Sequence, residues 1–242
     1  MRIAVISDIH ANLHALTAVL AEIDAESVEE LWCLGDLVGY GPRPNECVDA
    51  VRGRTSLCLA GNHDLAVIGK ADLGLFVGEA EAAATWTRTI LDDAAAEYLA
   101  SLEPIASRDG VALAHGSPRD PIWEYILSQS AAAAAFAETD EPLILVGHSH
   151  VALEICLDDT QLKGGLALEG HEADLKLGRC ILNPGSVGQP RDGDPRAAWL
   201  VIDTGSRRAT FRRTDYPIGL TQAEMRERDL PEGLSERLAH GM

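Results

Sequence analysis

Five short apolar runs along the chain end in the same way, with polar or metal-capable residues directly after the last hydrophobic position. They are RIAVIS before Asp8, LWCL before Gly35 and Asp36, SLCLA before Gly61 and Asn62, VALA before His115, and LILV before Gly147 and His148. Short, continuous apolar runs are typical of strands buried on both faces, and sites in open α/β sheets form at strand carboxyl ends. The sequence therefore predicts a sheet with a functional site along one edge.

Helical patterns lie between several of these strands. Asn12 can cap the segment 13–24, whose leucine, valine and isoleucine residues form one stripe, and a longer helical pattern covers residues 80–102. The alanine run at 131–135 also predicts a helix. Strands that alternate with helices predict an α/β domain.

After His150 the pattern changes to shorter apolar segments separated by turn residues. The segments are ALEICL, the run around Leu166 to Leu168, RCILN, AAWLVID and RATFRRTDY. This spacing predicts a second sheet, antiparallel at least in part, that packs on the first. From Pro217 onward the chain is polar and helix-prone and carries no identifiable chemistry.

The acidic composition limits the partners. The chain has 242 residues, with 38 Asp and Glu against 20 Lys and Arg, and a formal net charge of −18. Such a charge repels a phosphate backbone over most of the surface, so we do not expect duplex nucleic acid as a partner. The length predicts one compact domain over residues 1–242.

The cysteines and the apolar segments bear on localisation. The 5 cysteines contain no CxxC pair, which predicts small core residues in a reducing compartment. The segment MRIAVISDIH has too short an apolar run for a signal peptide, and no segment approaches the ~18 apolar residues of a membrane span. We therefore expect a cytoplasmic, soluble protein without a membrane partner.

The polar residues after the predicted strands form one set of metal-capable side chains. The set is Asp8, His10, Asp36, Asn62, His63, His115, His148 and His150. Carboxylates, an amide oxygen and imidazoles without a thiolate suit Mn²⁺, Fe, Zn²⁺ or Ni²⁺. There are too many ligands for one ion, and a carboxylate such as Asp36 can bridge two ions about 3.5–4 Å apart that clamp a phosphoryl group. The set therefore predicts two-metal hydrolysis of a phosphoester.

These blocks resemble the five-block signature of the calcineurin-like metallophosphoesterase superfamily. In family order, the matching pieces are Asp8-x-His10, Gly35-Asp36, Gly61-Asn62-His63-Asp64, His115-Gly116 and Gly147-His148-Ser149-His150. The resemblance runs from the first residues to about Asp203 and leaves 217–242 as a helical extension. It implies a four-layer α-β-β-α sandwich of two mixed sheets, with a dinuclear metal site at the strand carboxyl ends.

The resemblance also implies a role for each residue. One ion would take Asp8, His10, Asp36 and His150, and the other would take Asp36, Asn62, His115 and His148. His63 is implied to face the substrate without binding metal. Adjacent residues that leave a strand point to opposite sides, which agrees with a coordinating Asn62 and a His63 that reaches over the site. Asp64 is either an Asx-type cap or an orienting partner of His63.

The second block departs from that of the serine/threonine protein phosphatases. Their block reads GDxVDRG, whereas residues 35–41 read GDLVGYG and lack the second Asp and the Arg. The stretches GYGPRPNEC and NPGSVGQPRDGDPRAAW instead resemble a small prokaryotic branch of phosphodiesterases and phosphatases. Arg191 has two possible roles: it either supplies the guanidinium that protein phosphatases take from the missing Arg, or it is a surface arginine in a turn. Asn12 is either a helix cap or a phosphate contact.

The leading hypothesis is a metal-dependent phosphoesterase acting on a small phosphodiester or phosphomonoester. A metal-bridging hydroxide would attack phosphorus, two divalent ions such as Mn²⁺ would hold the developing charge, and His63 would protonate the leaving oxygen. The alternatives are a nuclease and a non-catalytic, protein-binding scaffold of the same fold. A scaffold should show loss of His63 or of a ligand, and all of them are present.

Overall fold

Two six-stranded sheets form the centre of the computed structural model, which describes residues 1–159 and 161–242. The strands are β1 (Arg2–Ile6), β2 (Glu30–Cys33), β3 (Leu57–Cys58), β4 (Ile105–Arg108), β5 (Val111–Ala114), β6 (Leu143–Val146), β7 (Leu153–Asp158), β8 (Gln161–Leu166), β9 (Glu172–Asp174), β10 (Arg179–Asn183), β11 (Ala197–Asp203) and β12 (Arg208–Thr214). The sheet orders are β3-β2-β1-β11-β12-β9 and β4-β5-β6-β10-β7-β8.

Both sheets are mixed. In the first sheet, β1 pairs parallel to β2 and antiparallel to β11. In the second sheet, β10 pairs parallel to β6 and antiparallel to β7. The prediction that the strands after His150 form a separate sheet is therefore wrong. Those strands divide between the two sheets and complete both, because β11 hydrogen-bonds to the first strand of the chain and β10 to β6.

Helices cover the outer faces of both sheets. They are α1 (Leu13–Ala25), α2 (Pro44–Arg52), α3 (Asn62–Val67), α4 (Glu79–Ile90), α5 (Asp93–Ala100), α6 (Gln129–Glu138), α7 (Ile218–Glu227) and α8 (Glu232–Leu238). The predicted helices at 13–24 and around 131–135 are confirmed. The single helix predicted over 80–102 is wrong. It breaks at Leu91 and Asp92, where the Asp92 side chain accepts a hydrogen bond from the Ala95 N–H and starts α5.

Alternate residues of the strands face different hydrophobic cores. In β1, Ala4 and Ile6 pack under the helices while Ile3 and Val5 pack between the sheets. In β6, Leu145 faces the space between the sheets and Ile144 packs against α6. Such strands are buried on both faces, which explains their continuous apolar runs. The result is a helix–sheet–sheet–helix sandwich, as the family resemblance implied.

The segment after Pro217 packs beside the loop that follows β2. The α7 and α8 helices bury Met225 and Leu234 against Tyr40. The Arg43 guanidinium donates two hydrogen bonds to the Glu224 carboxylate, at 2.8 and 2.7 Å. Among the described residues, no helix is both long and apolar enough to cross a membrane.

The cysteine prediction needs a correction. Cys156 in β7 and Cys180 in β10 lie directly opposite each other on antiparallel strands, with their Cα atoms 4.1 Å apart, and form a disulfide. Cys33 and Cys47 are buried free thiols, as predicted, and Cys58 is a half-buried one. The bridge was not visible in the sequence because its residues are 24 positions apart and belong to no spacing motif.

The disulfide predicts the number of reactive thiols. Protein purified without reductant and then denatured should titrate with three free thiols, and with five after reduction. A Cys156→Ser variant should titrate with four in either state, because it releases Cys180. Five thiols in the unreduced wild-type protein would show that the pair is reduced.

Candidate metal centre

The predicted ligands meet where the carboxyl ends of strands from the two sheets come together. Asp8 follows β1, Asp36 follows β2, His115 follows β5, and His148 and His150 follow β6. Asn62 comes from the amino-terminal end of α3, four residues after β3. All seven predicted metal ligands are buried, with at most 4% of each residue exposed; they are Asp8, His10, Asp36, Asn62, His115, His148 and His150.

The first group of ligand atoms belongs to Asp8, His10, Asp36 and His150, which lie within 4.8 Å of one another. The Nε2 atoms of His10 and His150 are 3.0 Å apart. The Oδ1 atom of Asp8 is 3.4 Å from His150 Nε2, and the Oδ2 atom of Asp36 is 3.6 Å from His10 Nε2. Ligand atoms about 2.0–2.2 Å from a tetrahedral ion lie about 3.3–3.6 Å from each other. This spacing therefore suits a coordination sphere.

The second group belongs to Asp36, His115 and His148. The same Asp36 Oδ2 atom is 3.5 Å from His115 Nε2. The Asn62 amide oxygen lies 3.1 Å from that nitrogen, so Asn62 extends the group. Asp36 is the residue common to both groups, and its Oδ2 atom lies between them.

Several of these atoms lack a hydrogen-bond partner in the described structure although they are buried. They include Asp8 Oδ1, Asp36 Oδ2 and His148 Nε2. Burying a polar atom without a partner is costly, so such atoms call for an explanation. One cation in each group would satisfy all three.

The tautomers of three histidines point to the same conclusion. The Nδ1 atoms lie near backbone carbonyls, with His10 3.1 Å from Val38 O, His115 2.9 Å from Leu34 O and His150 2.6 Å from Gln189 O. Because a carbonyl only accepts hydrogen bonds, each Nδ1 carries a proton. Burial keeps His10 and His150 neutral, so these two rings present a bare Nε2 lone pair to the centre. Metal-ligating histidines are oriented in this way. The residues present therefore fit a metal ion.

The backbone is strained at the same positions. Asp8, His10, Asp36, His148 and His150 have φ values of 53°, 48°, 54°, 62° and 59°. A non-glycine residue in the left-handed region costs roughly 1–2 kcal/mol. Such strain collects at functional sites, where surrounding structure imposes it. Here it turns ligands that follow strand ends toward a common point.

The glycines before Asp36 and Asn62 allow two loops to touch. A Cβ on Gly35 would lie 2.6 Å from the Gly61 nitrogen, and a Cβ on Gly61 would lie 2.0 Å from Asp36 Oδ1. The Asp64 carboxylate joins the same loops, because it accepts hydrogen bonds from the N–H groups of Leu37, Val38 and Gly61 at 2.9, 3.1 and 3.0 Å. Asp64 therefore caps the loops rather than orienting the His63 ring.

Burial dominates the protonation of the ligands. It lowers the pKa of His148 to about 3 and holds the pKa of His10 and His150 well below the ordinary value. It raises the pKa of Asp8 to about 7, with a contribution from the Asp36 charge. Burial also acts to lower the pKa of His115, but the Asp36 and Asp8 carboxylates outweigh it and raise that pKa to about 9. A cation in the second group would take the place of the His115 proton.

His63 lies over the ligands in an aromatic environment. Its ring centroid is 4.9 Å from that of His10, 4.4 Å from that of Tyr40 and 4.6 Å from that of Phe76. Its backbone N–H donates to Asp36 Oδ1 at 2.9 Å, and its Nδ1 atom is buried without a partner. The prediction that strand alternation turns the Asn62 and His63 side chains in different directions is wrong. The two residues begin α3, so helical rotation separates their side chains rather than strand alternation.

Arg191 and Asn12 have different surroundings. Arg191 lines the cavity above the ligands, where its guanidinium donates to Tyr40 Oη at 3.3 Å and Gln189 Oε1 at 2.9 Å. Asn12 is the cap of α1: its amide oxygen accepts from the Ala15 N–H at 3.2 Å and from Thr221 Oγ1 at 2.9 Å. Its amide nitrogen donates to Gly188 O at 2.9 Å. The structure thus favours the capping alternative for Asn12.

The sequence interpretation missed the aromatic residues of this cavity. The chain has 4 Trp, 4 Tyr and 3 Phe, and four of these side chains line a cavity of about 310 Å³: Tyr40, Phe76, Trp123 and Tyr125. Tyr40 lies within the second block, at residues 35–41. Because aromatic residues are scarce in the chain, its position there could have marked it as a candidate site residue. The other three lie in segments without a motif.

A two-sheet sandwich that gathers buried carboxylates and imidazoles at its strand ends is the metallophosphoesterase fold. The model of the calcineurin-like phosphoesterase superfamily domain matches residues 1–207. The chain belongs to this family.

The relatives extend the likeness over the whole chain. A metallophosphoesterase from Sphaerobacter thermophilus is 46% identical, with a TM-score of 0.91 and coverage of 100% of both chains. An uncharacterized protein of Methanocaldococcus jannaschii is 38% identical over 99% of this chain and 98% of its own. A hypothetical protein from Pyrococcus horikoshii OT3 shares the fold, with a TM-score of 0.81 at 22% identity, over 100% of this chain and 98% of that one.

Removing bound metal should destabilise the protein. Ions that fill the two groups would relieve the crowding of buried polar atoms, and a ligand at 1,000 times its Kd adds about 4 kcal/mol to the free energy of unfolding. In a domain of this size that corresponds to a fall in Tm on the order of 10 °C on exhaustive chelation. Thermal melts with and without chelator measure it. A chelator-independent melt of the metal-loaded protein would contradict this expectation.

Proposed function

We propose that this protein is a dinuclear, metal-dependent phosphoesterase that hydrolyses a small phosphodiester or phosphomonoester. One observation carries the proposal: two groups of buried ligand atoms share the Oδ2 atom of Asp36, and three of their atoms lack a hydrogen-bond partner in the described residues. A carboxylate placed in this way can bridge two ions. The family to which the chain belongs supports the reaction class.

Each part of the site has a proposed role. Asp8, His10, Asp36 and His150 hold one divalent ion, and Asp36, Asn62, His115 and His148 hold the other. Divalent ions bound there lower the pKa of water and neutralise phosphoryl charge. His63 donates a proton to the leaving oxygen, and the Arg191 guanidinium binds a phosphoryl oxygen.

The substrate is small and soluble. The cavity holds about 310 Å³, at the lower end of the range of small-molecule sites. The net charge of −18 disfavours a nucleic acid polymer, which argues against the nuclease alternative. Arg191 has no carboxylate among its hydrogen-bond partners in the described structure, so its charge is available to a substrate anion.

A metal-dependence assay tests the proposal. Chelated protein should not hydrolyse a chromogenic phosphodiester or monoester, and Mn²⁺, Fe²⁺, Zn²⁺ or Ni²⁺ supplied singly should restore hydrolysis. Hydrolysis that persists in the chelated protein would contradict metal dependence. Failure of every metal on both esters, with metal shown to be bound, would favour the scaffold alternative.

A further inference from the structure

Two loops form walls of the cavity that contains the candidate metal ligands. One wall comes from the segment that ends a short 3₁₀ turn and enters α4, and contributes Leu75, Phe76 and Val77. The other comes from the loop between β5 and α6 and contributes Trp123 and Tyr125. Asp36, Asn62, His148 and His150 line the same cavity, so the group attached to a phosphate bound there would contact these loops.

The walls present aromatic surface. The Tyr125 ring stacks on His148 with centroids 4.1 Å apart and an interplanar angle of 5°, and 47% of Tyr125 is still exposed. The Phe76 and Trp123 rings meet edge to face at 5.8 Å and connect the two walls. Trp123 itself is half-buried. Both Trp123 and Tyr125 therefore keep surface that a ligand can cover.

Apart from the candidate ligands and His63, the lining of the cavity is mostly apolar. Leu75 and Val77 are 61% and 80% exposed beside the cavity, and Arg191 is the one lysine or arginine among its described lining residues. Aromatic side chains bind the flat faces of other rings by stacking. The Arg191 guanidinium suits the phosphate. The aromatic rings suit the organic group that is esterified to it.

We propose that the substrate carries a planar heteroaromatic ring of the nucleobase class, which stacks against Trp123 and Tyr125 while the phosphoryl group lies over the metal ligands. This inference rests on the proposed function and narrows its substrate class. Base stacking on an aromatic residue is lost on alanine substitution at a cost of roughly 5- to 150-fold in affinity.

Three substrates that share a primary-alcohol leaving group separate the ring from the chemistry. They are adenosine 5′-phosphate, 1-O-methylribose 5-phosphate and hexyl phosphate, each used also as its methyl diester. We expect kcat/KM for the adenosine ester to exceed that for the riboside by at least tenfold. In Trp123→Ala that ratio should fall about tenfold, while Trp123→Phe should keep most of it. Trp86→Ala, at a half-buried tryptophan outside the cavity, is the matched control and should keep the wild-type ratio.

Binding supplies a readout that does not need turnover. Adenosine 5′-phosphate should quench the fluorescence of Trp123, and the quenching should disappear in Trp123→Phe but not in Trp86→Phe. The methylriboside phosphate should not quench. If no ester is hydrolysed, the proposed function fails and this titration still decides whether the cavity binds the ring. Equal kcat/KM values for all three substrates, or preference for the hexyl ester, would overturn the inference while leaving the phosphoesterase in place.

Discussion

An Asp36→Ala variant is expected to purify without tightly bound metal at either position and to lose more than 100-fold of the proposed phosphoesterase activity. Its Oδ2 atom lies 3.6 Å from His10 Nε2 and 3.5 Å from His115 Nε2, so one atom serves both groups. Even residues that merely support a metal ligand cost 10- to 100-fold on mutation. A shared ligand should cost more, and elemental analysis of metal per chain measures the loss directly.

Two further variants separate this effect from damage to the loop. Asp36→Asn keeps the shape of the side chain and an oxygen that can accept the hydrogen bond from the His63 N–H, which Asp36 Oδ1 accepts at 2.9 Å. It should keep the loop and still lose metal, because it removes the charge. Asn62→Ala should weaken mainly one ion, since the Asn62 amide oxygen lies 3.1 Å from His115 Nε2 in the second group. Two tightly held ions in Asp36→Ala would show that Asp36 is not the bridge.

The positions of the candidate ligands could be predicted from the sequence because each one lies within four residues of the end of an apolar run. Asp8 and His148 come within two residues of the ends of β1 and β6. Within each sheet, a parallel neighbour brings such residues to one end, as β2 does beside β1 and β5 beside β6. The resemblance added the assignment of the candidate ligands to two ions, which stays a prediction. The structure brings Asp8, His10, Asp36 and His150 together, and Asp36 with His115 and His148. Local sequence and the resemblance were sufficient here because the site consists of strand ends.

The partition of the later strands could not be predicted. β11 and β10 both have apolar, strand-forming sequences, and nothing local states that β11 joins β1 whereas β10 joins β6. Which sheet each strand joins depends on which sheet edges are free to pair once the rest of the chain has packed. That is a property of the tertiary structure and not of the local sequence. The Cys156–Cys180 pairing depends on the same register and was missed for the same reason.

The role of residues after Pro217 was equally invisible in the sequence. Their helices pack against Tyr40, whose ring lies 4.5 Å from that of His10 and 4.4 Å from that of His63. In the sequence, Leu234 and Met225 are ordinary apolar residues of helical segments. Only the tertiary structure shows that they pack against Tyr40. The extension therefore supports the candidate site from outside the family match, which ends at residue 207.

A His63→Ala variant is expected to keep both metal ions and to lose about 10²–10⁴-fold in kcat on an alkyl ester. No predicted ligand is removed, so metal content per chain should equal that of the wild-type protein. Burial lowers the pKa of His63 to about 4, whereas Asp36 acts to raise it. A substrate phosphate would add negative charge beside the ring and further favour the protonated form, which a general acid requires.

The leaving group decides whether His63 acts by donating a proton. A nitrophenyl ester leaves readily as its anion and needs little protonation, whereas an alkyl ester of the same phosphate needs a great deal. The loss in His63→Ala should therefore be much smaller on the nitrophenyl ester. His240→Ala, at an exposed histidine, is the matched control and should behave as wild type on both. Equal losses on the two esters would indicate that His63 stabilises phosphoryl charge instead, and a missing metal ion would mean that His63, rather than Asn62, is the ligand.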